Sequence, residues 1–134
     1  MSLLLDTSAW AALVESDPDV VRRVEGADGV LMSAVVVGEL LFGIHNGHRA
    51  RQNARILADF LDDRDVEFLP VGYATADWFG RLMARQRKAG RAVATNDLWI
   101  AAHAFEHGAE LLTRDADFGA IEGLRVEILP ARRE

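Results

Sequence analysis

The chain has 134 residues, half of them hydrophobic, no cysteine and a formal net charge of −6. That size suits one domain with a sizeable core; the lack of thiols excludes disulfides and thiolate metal sites and is compatible with a reducing compartment; and the acidic balance at first argues against a nucleic-acid partner. No apolar run reaches the roughly 18 residues of a membrane span, and no basic region precedes the short apolar stretch at the N-terminus, as a signal peptide would need, so a soluble cytoplasmic protein is expected.

LLL at residues 3–5 reads as a buried strand that stops at Asp6, with Thr7 and Ser8 behind it and a helix-like run after. A helix cap accounts for an acid there; a ligand site is the other reading. The next strand is expected at Val30–Met32, and Ser33 can cap the helix of SAVVVGELLFG. On that helix Val35, Val36, Phe42 and Gly43 stand three and four positions from Glu39, with no basic residue placed to pair with it. Such a carboxylate is costly unless it is paired or binds a cation. In HRARQNARILADFLDD, Ala50, Ala54, Leu57, Ala58 and Leu61 form one apolar stripe. A strand follows at Val66–Leu69. In ATADWFGRLMARQRKAG, Trp78, Phe79, Leu82 and Met83 form another stripe, ended by Gly90. Trp10 and Trp78 read as core, or in the case of Trp78 as a self-association surface. Asp97 opens TNDLWIAAHAF on the face of Ile100, Ala101 and Ala104, where a first-turn acid is also good helix chemistry. A strand at Glu110–Thr113 delivers Asp115, with Asp117 two positions on. The last strand is expected at Arg125–Leu129, ahead of a short tail at Arg132–Glu134.

Short apolar strands separated by helix-length stretches imply an α/β domain with a mainly parallel sheet, covered on both faces. In such sheets ligands bind beyond the carboxyl ends of the strands, where strand order reverses. Acids gathered there repel one another unless a cation holds them. An all-oxygen donor set, without Cys or a clear His set, favours Mg²⁺ or Mn²⁺. Thr7, Ser8 and Thr113 stand beside these acids and can orient a water or a carboxylate. An acid cluster around a divalent ion suits phosphodiester cleavage by metal-activated water, with no protein nucleophile.

LLLDTSAW, SAVVVGELLFGI, NDLWIAAHAFEHGAELLTRD and DFGAIEGLRVEIL, in this order and spacing, resemble a PIN domain, specifically a VapC-type toxin ribonuclease, over essentially the whole chain. The resemblance implies a single PIN domain over residues 1–134, a three-layer α/β/α fold with a mainly parallel five-stranded sheet of order 3-2-1-4-5, and Mg²⁺- or Mn²⁺-dependent endoribonuclease activity as the toxin of a type II toxin–antitoxin system. By motif match it makes Asp6, Glu39, Asp97 and Asp115 the acidic quartet, Asp117 an additional or substitute metal ligand, and Thr7 and Thr113 supporting hydroxyls. It further implies homodimers, an RNA substrate cut to 5′-phosphate and 3′-hydroxyl ends, and inhibition by a VapB-type antitoxin whose C-terminal segment lies across the active-site groove. The family pattern fixes no RNA-binding positions. Of fifteen basic residues only Lys88 is lysine, and Arg81, Arg85, Arg87, Lys88 and Arg91 gather ahead of Asp97. A solvated helix face explains such a run, although Arg81, Arg85, Lys88 and Arg91 could meet phosphate.

Competing readings are few. HAFEH at 103–107 fits the H-x-x-E-H signature of an inverted zinc peptidase, and His103 and His107, one turn apart, could chelate Zn²⁺. Both lie off the Ile100/Ala101/Ala104 face and are expected to be exposed, and little chain remains for a third ligand. An aspartyl-phosphate phosphatase would want D-x-D where this chain has DTS, and a receiver domain would want paired early acids and a late lysine. A non-toxin PIN nuclease or a catalytically inert binding module of the same fold would share the sequence pattern.

Overall fold

The computed structural model describes residues 1–130; the tail expected at Arg132–Glu134 lies outside them. Five strands, β1 (Leu3–Leu5), β2 (Val30–Ser33), β3 (Val66–Leu69), β4 (Glu110–Thr113) and β5 (Val126–Ile128), form one sheet in the order β3-β2-β1-β4-β5. Every neighbouring pair is parallel, with Leu3 opposite both Val30 and Glu110. The helices are α1 (Thr7–Val14), α2 (Pro18–Glu25), α3 (Ala34–His45), α4 (Ala50–Leu61), α5 (Tyr73–Lys88) and α6 (Thr95–His107), with a short 3-10 helix at Ala116–Ala120. The chain steps one way through β1, β2 and β3, then crosses back to β4 and β5. Right-handed crossovers therefore put the first connections on one face of the sheet and the α5–α6 connection on the other. The order reverses between β1 and β4, so the crevice at their carboxyl ends is the topological switch point.

Continuous apolar sequence matches burial only in the middle of the sheet. Leu3, Leu4, Leu5, Met32, Leu111 and Leu112 are fully buried, each worth about 1.5–3 kcal/mol of transfer free energy. At the edges the expectation of two-sided cover fails. Phe68 of β3 and Ile128 of β5 are exposed, because an edge strand has sheet on one side only. On α4, Leu57 is buried while Ala58 is exposed; at 100° per residue Ala58 lies at the margin of the Ala50–Ala54–Leu57–Leu61 stripe. The α5 and α6 helices meet through two stacked pairs, Trp78 on Phe105 at 5.0 Å and Phe79 on Trp99 at 4.0 Å. Trp10 meets Phe60 edge-on at 4.8 Å, joining α1 to α4. Gly90, at φ +69°, ends α5 in the left-handed conformation, and Arg91 N–H reaches back to the Gln86 carbonyl at 2.9 Å, a closure that glycine allows at least cost. Among the described residues no helix is long and apolar enough to cross a membrane.

Candidate active site

Asp6 stands where β1 gives way to α1 and is only 4% exposed. Its Oδ1 accepts from the Ala9 amide at 2.9 Å and from the Ser8 hydroxyl at 2.7 Å. Its Oδ2 accepts from the Thr113 hydroxyl at the tip of β4. The two hydroxyls are held in turn from the next strand: Arg114 N–H donates to Ser8 Oγ at 2.8 Å and Asp115 N–H to Thr113 Oγ1 at 2.9 Å. A carboxylate has about four acceptor positions. Three of Asp6's are filled, leaving one on Oδ2. Asp6 is thus both the helix cap and a fixed acid, so the two local readings of DTS are compatible. Ser8, rather than Thr7, supplies the hydroxyl from this turn; the side chain of Thr7 makes no hydrogen bond among the described residues. The spacing explains the exchange, since a side chain two positions after an N-cap lies over its carboxylate.

Glu39 sits about two turns into α3, which Ser33 caps through Val35 N–H at 3.1 Å. Its carboxylate is half-buried at the rim of a concavity of about 520 Å³ lined by Val35, Gly38, Phe42 and Asn96. Asn96 Nδ2 donates to Glu39 Oε2 at a long 3.4 Å. Among the described residues no basic side chain pairs with it, and Phe42 beside it is 72% exposed. Asp97, the next residue after Asn96, is half-buried in the first turn of α6. Asp115 caps the 3-10 helix, accepting from Asp117 N–H at 2.9 Å, and Asp117 is exposed in its first turn.

The electrostatics of Asp97 tie these positions together. Its carboxyl is pushed up to about 6, first by burial and then by the like charges of Asp115, Glu39, Asp6 and Asp117. Asp115, Glu39, Asp6 and Asp117 therefore all lie within Coulombic reach of Asp97. They do not close into a finished ligand cage: among the described residues no three Asp, Glu or His side chains stand at metal-ligating spacing. Repulsion between unscreened carboxylates explains why the more exposed ones stay apart. In donor chemistry the set suits a hard divalent cation, being all oxygen.

His103 departs from expectation. It is fully buried, because α6 packs on more than one side: Leu98, Ala102 and the Ile100/Ala101/Ala104 stripe are all covered. Its Nε2 lies 3.1 Å from the Pro70 carbonyl and its Nδ1 2.8 Å from Ser33 Oγ. A carbonyl can only accept, so Nε2 carries the proton and Nδ1 accepts from the Ser33 hydroxyl. Burial keeps the ring neutral by holding its pKa below the usual histidine value. With both nitrogens engaged and His107 exposed beside Glu106, the zinc-peptidase pairing has no free ligand at His103. The signal missed in the sequence is that Ser33 lies at a strand end, where a buried hydroxyl can meet a buried imidazole.

A second pair, Arg114 Nη2 on Asp17 Oδ2 at 2.6 Å, braces the strand tip between Thr113 and Asp115 against the start of α2.

The PIN domain profile matches residues 3–124. Ribonuclease VapC5 from Mycobacterium tuberculosis is 35% identical over 130 residues, covering 94% of this chain and 93% of that protein. Among solved structures, VapBC-5 of Mycobacterium tuberculosis, from the VapBC family of toxin–antitoxin systems, aligns with a TM-score of 0.69 at 32% identity, covering 96% of this chain and 97% of that one. VapBC2 from Rickettsia felis, bound to a DNA fragment from its promoter, aligns with a TM-score of 0.84 at 26% identity, covering 96% and 98%. Strand order, chain length and sequence identity agree: the chain belongs to the PIN domain family, among its VapC-type members.

Proposed function

We propose that the chain is a metal-dependent endoribonuclease and the toxin of a type II toxin–antitoxin pair. The observation that carries this reading is the placing of Asp97 at the strands' carboxyl ends, half-buried and within Coulombic reach of Asp115, Glu39, Asp6 and Asp117, which together raise its pKa. Asp6, Glu39, Asp97 and Asp115 would hold Mg²⁺ or Mn²⁺, with Asp117 assisting. Such an ion supplies a more acidic water and neutralises charge on the attacked phosphate. The chain's own contribution is positional. Ser8 and Thr113 fix Asp6 with one acceptor position open, Asn96 donates to Glu39, and Asp97, crowded by like charges without the ion, would be relieved by binding it. The likeness to named ribonucleases and to toxin–antitoxin complexes supports RNA as substrate, an antitoxin as partner and a homodimer as the working assembly.

Purified protein incubated with total RNA should cleave it when Mg²⁺ or Mn²⁺ is added and stop with a chelator. Asp97→Asn should abolish cleavage. Metal-dependent cleavage that survives Asp97→Asn refutes the assignment. Absence of any heat on titrating Mn²⁺ into the wild type would instead favour an inert binding module.

A further inference from the structure

We propose that Arg85 and Arg91 form a phosphate-binding fork that holds the RNA backbone beside the acid cluster, an inference that rests on the nuclease reading above. Arg85 Nη1 donates to the Glu122 carbonyl at 3.4 Å, and Arg91 Nη1 to the Ala120 carbonyl at 3.2 Å. Buried Gln86 donates to the same Ala120 carbonyl at 3.3 Å. These carbonyls lie where the chain leaves the 3-10 helix that Asp115 caps and Asp117 opens. Ala120 is three residues beyond Asp117, about 6 Å along a 3-10 helix, and Arg91 stands six residues before Asp97.

The kind of partner matters. Arg22, Arg23, Arg81 and Arg114 all end on carboxylates, which cancel their charge. A carbonyl orients a guanidinium and leaves its charge intact. Arg85 and Arg91 thus each keep a full positive charge and most of their five N–H donors, in the planar arrangement that matches phosphate oxygens. Lys88, exposed and one turn beyond Arg85, adds a third cation without a carboxylate partner among the described residues. The negative end of α5 favours cations at this place. A polyanion approaching a protein of net charge −6 and a cluster of acids needs such a local counter-charge.

The test uses full-length protein. Binding of a fluorescein-labelled single-stranded RNA of about 12 nucleotides is followed by anisotropy across a KCl series, in an Asp97→Asn background so that the probe stays intact. Arg85→Gln with Arg91→Gln removes both charges and leaves a neutral, polar side chain at each position. Two lost phosphate contacts should raise Kd about tenfold or more and flatten the log–log salt dependence by about 1.4, at about 0.7 per contact on a single strand. The same pair of substitutions with Asp97 intact should leave Mn²⁺ affinity, read by titration calorimetry, within about twofold of wild type, which displacement of the Asp117 segment would not allow. An unchanged salt slope overturns the fork, as does a flattened slope accompanied by lost Mn²⁺ affinity. Wild-type cleavage of RNA with Mn²⁺ separates the two readings. If it is present and the slope is unchanged, only the fork falls; if the wild type neither binds nor cleaves RNA, the nuclease reading falls with it.

Discussion

Replacing Asp97 by asparagine is expected to stabilise the metal-free protein at pH 7.5 while leaving it near wild type at pH 4. The folded-state pKa is raised from 3.8 to about 6, so between those values the folded chain binds more protons than the unfolded one. Stability of the wild type therefore falls as pH rises through that window, and the full cost is present above it. A shift of about two pH units corresponds to a ceiling of about 3 kcal/mol at 1.36 kcal/mol per unit. Asp97 is only half-buried, and solvent screening cuts this to about 1–2 kcal/mol. Asparagine also forfeits the favourable placement of an acid in the first helical turn, about 0.3–1 kcal/mol. The net gain is about 1 kcal/mol, or a Tm rise of about 4 °C for a chain of this size. Urea unfolding in EDTA at a series of pH values measures it. A variant less stable than wild type at pH 7.5, or a gain that does not change with pH, refutes the reasoning. Saturating Mn²⁺ should reverse the ranking, because only the wild type gains binding free energy.

Three further outcomes are expected. Mn²⁺ binding near pH 6 should release about half a proton from Asp97, and less at pH 8, read from calorimetry in buffers of different ionisation enthalpy; release independent of pH would exclude Asp97 as the titrating ligand. Thr113→Val removes a hydroxyl that serves both the Asp6 carboxylate and the Asp115 amide. It should cost about 1.5–3 kcal/mol in urea unfolding and lower cleavage, and an unchanged midpoint would count against the Asp6 tie. His103→Leu leaves Ser33 and the Pro70 carbonyl without their partner and should destabilise by about 2–4 kcal/mol, with Zn²⁺ restoring nothing; rescue by Zn²⁺ would revive the peptidase pairing.

The centre of the sheet was legible because strands buried on both faces are written as apolar runs such as Leu3–Leu5, and Val66–Leu69 and Glu110–Thr113 also fall where the sequence places them. The acids were legible by position, each at a strand end or early in a helix. What the sequence does not carry is which neighbouring group holds each acid. Thr113 reaches Asp6 only because β1 and β4 pair, a contact 107 residues long in sequence. His103 was misplaced because a helical stripe locates one buried face, whereas α6 is covered on more than one side. The α2 helix, with Asp17 as its cap, Pro18 in its first turn and Val20, Val21 and Val24 on one side, spans only eight residues, about two turns, too few for a long stripe.

Ser33, the cap of α3, bonds His103 of α6, and Glu39 of α3 meets Asn96 of α6, so the two contacts lie near opposite ends of the overlap and α3 and α6 run antiparallel. Six residues separate Ser33 from Glu39, and six separate Asp97 from His103, about 9 Å along each axis at 1.5 Å per residue. Rocking either helix by about 5° about that buried pin would swing its acid by about 0.8 Å, several times the roughly 0.2 Å tolerance of ion coordination. An uncharged interior bond thereby bears on how far apart Glu39 and Asp97 are held.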